Sequence, residues 1–196
     1  MREERAVTLR NGTSGIVRTI IPSDADALAT ALWELAPNSR TRRFFFDKTD
    51  LSEKELEQFS NPDGIDHVAY GLAVEIEGEE EPKPIAVARC FRDKEDPQLA
   101  EIAIVTADAW QGLGAGSELL RSLSKAAYEV GIRRWFAPMF SDNFAMRHLL
   151  NRFATKIDER ELGSGIIETV YIITKPVENE GGKRNSLPPF IPDSSS

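Results

Sequence analysis

Apolar positions recur along this chain with two different periods, and the change of period marks out its elements. Gly15 to Ile21, reading GIVRTII, is rich in β-branched residues and predicts a strand. After Pro22-Ser23 the spacing lengthens, and Ala25, Leu28, Leu32 and Leu35 fall on one face of a helix. A second helix is predicted from Ser52. There Ser52 and Glu55 form a capping box, with Leu51 and Leu56 at the hydrophobic-staple positions. His67 to Glu75, Pro84 to Arg92 and Leu99 to Thr106 then read as three strands. The polar links between them, Glu77 to Pro82 and Asp93 to Pro97, are short enough for antiparallel hairpins or a meander.

Beyond Thr106 the pattern becomes helix, strand, helix. Gly114 to Val130 carries Leu119, Leu120, Leu123, Ala127 and Val130 on one face, and Arg133 to Ala137 is a short strand. Asn143 to Phe153 spaces Met146, Leu149, Leu150 and Phe153 at helical intervals. Thr155 to Leu162 and Gly165 to Thr174 pair around Gly163-Ser164-Gly165. The order β-α-α-β-β-β-α-β-α-β-β predicts a mixed α/β (α+β) sheet with helices on its faces. Strand-helix-strand over residues 99 to 137 implies one right-handed parallel crossover at its centre. Residues 1–14 form an N-terminal segment in which Ala6 to Leu9 suits an edge strand, and residues 15–175 form one domain. Residues 176–196, with Gly181-Gly182, Pro188-Pro189 and a terminal Ser run, are too polar to offset their ordering entropy and predict a disordered tail.

Composition narrows the function classes. A chain of 196 residues, 41% hydrophobic and 29% charged, fits one globular domain. No apolar run is long enough to span a bilayer, and no h-region follows Met1-Arg2-Glu3-Glu4-Arg5, so a cytoplasmic protein without membrane contact is expected. The single cysteine, Cys90, precludes an intramolecular disulfide, and two distant histidines make a zinc site a poor expectation, so no metal is assigned. The net charge of −8 argues against nucleic-acid binding, which depends on phosphate neutralisation by Lys and Arg. It is compatible with a cationic substrate, and equally with solubility alone.

The most informative segment is Gln111-Gly112-Leu113-Gly114-Ala115-Gly116-Ser117, between an apolar strand and an amphipathic helix. Glycines there let successive N–H groups converge on an anion, and the helix N-terminus adds its positive dipole end. A tight turn that binds nothing is the alternative. The dinucleotide fingerprint fails because its third glycine is Ser117, and the P-loop fails for want of Gly-Lys-Ser/Thr. Q-x-x-G-x-G does match, at Gln111, Gly114 and Gly116.

With that motif in place, Ala100 to Phe153 resembles the core of the GNAT N-acetyltransferases, and the element order resembles theirs over roughly residues 15–174. Leu35 to Phe45, LAPNSRTRRFF, and the Ala100-Glu101-Ile102-Ala103 start of a strand resemble the protein-lysine acetyltransferase branch. The resemblance implies a GNAT-type mixed, mainly antiparallel sheet of about six or seven strands with helices on both faces. It also implies acetyl-CoA as co-substrate: its pyrophosphate on Gln111, Gly112, Leu113, Gly114, Ala115, Gly116 and Ser117, its pantetheine arm along Ile104, Val105 and Thr106, and Asn143 in support. Leu113 departs from the pattern, since Lys or Arg is common there, which weakens the expected pyrophosphate contact.

Acyl transfer to an amine needs a neutral nucleophile, a stabilised oxyanion and a proton for the leaving thiolate. Glu101 shares one face of its strand with Ala103 and Val105, where partial desolvation would raise its pKa toward that of a useful base. The resemblance assigns it the same role; a solvent-facing glutamate near a strand end is the alternative. A backbone N–H near Val105 is the expected oxyanion donor. Many GNAT enzymes have an acid tyrosine where this chain has Leu150, and Tyr128 and Tyr171 fit core faces better. Cys90 reads as a core residue and His148 as a surface one. Trp110 is open between shielding the coenzyme and packing. Arg40, Arg42 and Arg43 read as a solvated cluster, with an acidic acceptor or the 3′-phosphate as alternatives. Three functions stand open: transfer to a protein lysine ε-amine, transfer to a small amine, and an acetyl-CoA-binding sensor of weak activity. The protein is expected as a monomer or homodimer.

Overall fold

A computed structural model describes residues 4–46 and 48–175; the predicted tail, 176–196, lies outside them. Among the described residues eight strands form one sheet: β1 (Glu4–Thr8), β2 (Ser14–Thr19), β3 (His67–Val74), β4 (Lys83–Arg92), β5 (Leu99–Thr106), β6 (Arg134–Phe140), β7 (Ala154–Gly163) and β8 (Ile166–Ile173). Their spatial order is β1-β2-β3-β4-β5-β6-β8-β7. Every neighbouring pair is antiparallel except β5 and β6, which are the ends of the predicted crossover. The edge strand foreseen around Ala6 is present as β1, so the sheet holds one or two strands more than expected.

Among the described residues five α-helices cover the sheet: α1 (Ala25–Glu34), α2 (Pro37–Phe44), α3 (Glu53–Ser60), α4 (Ala115–Glu129) and α5 (Phe144–Leu150). α4 packs across β3, β4 and β5. Its stripe of Leu119, Leu120, Leu123 and Ala127 is fully buried against Val68, Ala88, Cys90 and Trp135 in one core cluster. Each such leucine contributes roughly 2 kcal/mol of burial. α1, α2 and α3 lie on the opposite face, over β4, β5 and β6. The α3 start is as predicted: the Glu55 N–H donates to Ser52 Oγ at 3.3 Å and the Ser52 N–H to Glu55 Oε2 at 2.9 Å.

α2 is the helix that periodicity does not reveal. Its sequence, PNSRTRRF, has no apolar repeat. Pro37 at the first turn and a left-handed Phe45 (φ 66°) bound it, and polar contacts dock it. The Ala36 N–H and Ser39 Oγ donate to Asp108 at 2.8 and 2.5 Å. At its other end Arg42 forms a two-pronged pair with Asp142 at 3.0 and 3.2 Å. Burial pushes the Asp108 carboxyl up, but its bonds to Ala36 and Ser39 outweigh that and hold it below the ordinary 3.8. This anchor is therefore complete above the ordinary aspartate range and is lost as pH falls through the depressed value. Asp108→Ala is expected to release α2, seen as faster amide hydrogen exchange at Ala36 with unchanged protection in α4. Unchanged exchange at Ala36 would remove Asp108 as the anchor.

Candidate active site

The sheet opens into a notch between β5 and β6. Their parallel pairing consists of Leu99 with Arg134, Ala100 with Trp135 and Glu101 with Phe136, and goes no further. Beyond this fork β5 remains paired to β4 through Thr106, and β6 to β8 through Phe140. Ladder alternation shows which groups face the gap. The Ala107 N–H donates to Ile85 O and the Asp93 N–H to Leu99 O, both at 2.8–2.9 Å. In that register Glu101, Ala103 and Val105 turn their backbone groups to β4, whereas Ile102, Ile104 and Thr106 turn theirs into the notch. The donors beside Val105 that are open to a guest are thus the N–H groups of Ile104 and Thr106. Pro138, two residues past the fork, is tolerated because β6 has lost its β5 neighbour there.

The glycine turn lies at the mouth of this notch. Gly112 and Gly114 have φ of 74° and 100°, the left-handed region. A Cβ on Gly112 would meet nothing within 4 Å, so the backbone surface there is bare. The Ser117 and Glu118 N–H groups fold back onto Gly114 O, which leaves the Ala115 and Gly116 N–H groups without intrahelical acceptors. Such a surface fits a diphosphate. Gly116 has a different reason to be glycine: its Cβ would stand 2.8 Å from Leu149 Cδ2, so it sets how closely α5 approaches α4. Gln111 Nε2 lies 3.3 Å from both Thr106 O and Asp108 Oδ1, bracing the turn against the end of β5. Leu113 packs against the core, and Trp110 does the same. Ala115 and Ser117 are buried beneath the turn. Asn143 caps α5, its side chain accepting from the Met146 N–H at 3.2 Å.

Two arginines that sequence spacing does not connect to the turn are beside it. The Arg10 N–H donates to Leu113 O at 3.0 Å, and its Nη1 to Gly112 O at 3.2 Å. Arg152 Nη1 donates to Ser117 Oγ at 2.9 Å. They bring positive charge to a turn whose Leu113 has none. No local signal marks either, because both arrive by tertiary folding.

Glu101 is half-buried on the last rung before the fork. The register sets it on the same sheet face as Phe91, Arg89 and Val105, under α1, α2 and α3. The three α2 arginines separate, which corrects their reading as one solvated cluster. Arg40 is buried and donates to Leu35 O at 2.7 Å, Arg42 meets Asp142, and Arg43 turns inward. Burial lowers the Arg43 pKa while the nearby Glu101 carboxylate opposes that.

The remaining candidates have other roles. Cys90 is fully buried and its thiol is pushed up to about 12 by that burial, which leaves it inert. Leu150, Tyr70 and Tyr171 are buried in the core, and Tyr128 lies beneath the Arg133 guanidinium at 3.9 Å. His148 is exposed, as expected. No group of His, Cys, Asp and Glu suited to a metal occurs among the described residues, nor does any helix there have the length and apolarity to cross a membrane.

A notch between diverging parallel strands, closed at its mouth by a glycine turn and helix, meets a matching family model. Residues 27–154 match the model of the acetyltransferase (GNAT) family. The chain belongs to this family. It has the mixed α/β GNAT fold. Acetyltransferase Pat of Mycolicibacterium smegmatis is 31% identical over 176 residues, which is 89% of this chain and 51% of Pat. The chain thus spans about half the length of that relative. The GNAT domain of S. lividans PAT superposes with a TM-score of 0.73 at 30% identity, covering 87% of this chain and 97% of that domain. A putative acetyltransferase from Salmonella typhimurium, yncA, solved with its cofactor acetyl-CoA, shares the fold. Its TM-score is 0.62 at 18% identity, over 85% of this chain and 96% of its own.

Proposed function

We propose that this GNAT enzyme transfers the acetyl group of acetyl-CoA to a protein lysine ε-amine, with Glu101 as general base. The observation that carries the reading is Glu101 at the fork of an open β5–β6 notch whose mouth is the Gln111–Ser117 turn. Bound acetyl-CoA supplies the acyl carbon that the amine attacks and the thiol that leaves. Ile104 and Thr106 offer it backbone partners on the notch edge, as one more strand would. Val105 lines the adjoining face, Asn143 flanks the notch at the start of α5, and the Gln111–Ser117 turn, with its bare backbone at Gly112, receives the diphosphate.

A lysine amine must shed a proton before it attacks. Glu101, half-buried at the fork beside Arg43, would receive it. The Ile104 or Thr106 N–H is placed to stabilise the developing oxyanion. With each tyrosine committed elsewhere, the proton for the thiolate comes from the amine itself or from water. The lysine acceptor is supported by the Ala100-Glu101-Ile102 context and by the relatives named Pat and PAT.

Titration with acetyl-CoA, followed by thermal shift and calorimetry, tests the coenzyme; thiol release with a panel of lysine proteins, peptides and small amines tests the acceptor. Release only with small amines would overturn the lysine reading. Binding with no release to any acceptor would replace it with a sensor. Arg10→Ser is expected to weaken acetyl-CoA binding about three- to tenfold, on the order of 1 kcal/mol for one exposed charge-assisted contact. That difference should shrink at high salt. Equal affinities at low salt would exclude Arg10 from the phosphate site.

A further inference from the structure

Between the sheet and α1–α3 lies a cavity of about 110 Å³. Its walls are largely apolar, among them Leu28, Leu32, Phe44, Phe59 and Val87, and it reaches Val105 beside the notch. That is ample for a small organic group, since one water needs roughly 10–15 Å³. Three arginines line it: Arg18, Arg43 and Arg89. Arg18 is matched by Asp24, with both prongs at 2.7 Å. Arg43 and Arg89 are not matched in this way.

Arg89 is 4% exposed, yet among the described residues no carboxylate is in salt-bridge contact with it. It spends one donor on Phe59 O at 3.0 Å and lies over the Phe59 ring at 4.4 Å. Arg43 lies over the Phe44 ring at 4.7 Å and likewise has no such partner there. A guanidinium carries five N–H donors, so most of this capacity is unused. Burial and the nearness of Arg43 lower the Arg89 pKa to about 9. The nearby Glu101 offsets part of one charge, not both. Two desolvated cations beside one carboxylate are costly without an anionic guest.

We propose that Arg43 and Arg89 form a carboxylate-recognition pair, so that the molecule seated in this cavity presents a carboxylate to them next to Glu101. The carboxylate has two possible sources: an acceptor that is itself an amino acid, or a dicarboxylic acyl group on the coenzyme. The second source is compatible with a lysine acceptor. The inference rests on the reading of the Glu101 face as the reacting side, and it is tested by binding rather than by turnover.

The probes are paired on the intact 196-residue chain. L-glutamate is compared with its diamide in the presence of acetyl-CoA, and succinyl-CoA is compared with acetyl-CoA. The acid of at least one pair is expected to bind about 10- to 100-fold tighter than its neutral analogue, the range for charge-assisted bonds. Preference within the first pair assigns the acceptor as the source, and within the second the acyl group. Arg43→Leu should erase that preference, leave acetyl-CoA affinity unchanged, and keep the ligand-free Tm at or above wild type, because a desolvated charge is removed. Arg89→Met should do the same unless loss of the Phe59 contact unfolds it, and Arg43→Leu decides the matter in that event. Equal binding within both pairs, or a preference that survives Arg43→Leu, overturns the proposal. A fall in Tm for Arg43→Leu would make Arg43 a structural strut. Absence of the acid preference in the wild-type chain, with acetyl-CoA affinity intact, overturns the carboxylate pair alone, whereas absence of acetyl-CoA binding by that chain would overturn the coenzyme reading.

Discussion

Gly114→Glu is expected to abolish measurable acetyl-CoA binding. Gly114 caps α4 with φ at 100°, where any L side chain costs on the order of 1–2 kcal/mol. A Cβ there would point at Arg10, 3.9 Å from its Cγ and Nε. The new carboxylate would occupy the strip proposed for the diphosphate and neutralise the arginine beside it. Two like charges about 4 Å apart repel by roughly 4 kcal/mol near a protein surface, close to a thousandfold in affinity. Gly114→Ala separates the two effects: it keeps the backbone strain without the charge and should lose about tenfold at most. Calorimetry on both variants, with circular dichroism to verify folding, measures the difference. Binding by a folded Gly114→Glu protein would refute the turn as the coenzyme site.

Glu101→Gln should separate binding from chemistry. The amide is nearly isosteric and stays at the fork beside Arg43, so acetyl-CoA affinity is expected within about twofold of wild type. Turnover should fall about 10²–10⁴-fold, the usual contribution of a positioned general base. The loss should lie in kcat, because Glu101 takes the proton from an acceptor amine that is already bound. If turnover is unchanged, Glu101 is not the base. If acetyl-CoA affinity falls in step with turnover, Glu101 supports the coenzyme instead.

Much of this architecture is legible in local residues. The α3 start is encoded by Ser52 and Glu55, whose bonds depend on nothing distant. The α4 stripe and the left-handed glycines at 112 and 114 are likewise properties of one segment. Asn143 is correctly read as the opening of a helix, though as its cap, over a helix shorter than the apolar spacing predicts. Pro138 in the middle of a strand is a local sign of the notch that periodicity overlooks. α2 is different. Its helix has no apolar face, and what holds it, Asp108 and Asp142, comes from loops far along the chain.

The sequence by itself determined the order of every strand and α-helix but α2, together with the glycine turn and the glutamate ahead of it, because backbone conformation and amphipathic period are set within a few residues. Only the tertiary structure decided where charge meets the site. Arg10 and Arg152 reach the turn from opposite sides of it in the sequence. Adjacent Arg42 and Arg43 diverge, one to a surface aspartate and one into a cavity with Arg89. Such pairings span scores of residues, and desolvation exists only once the layers have closed around a group.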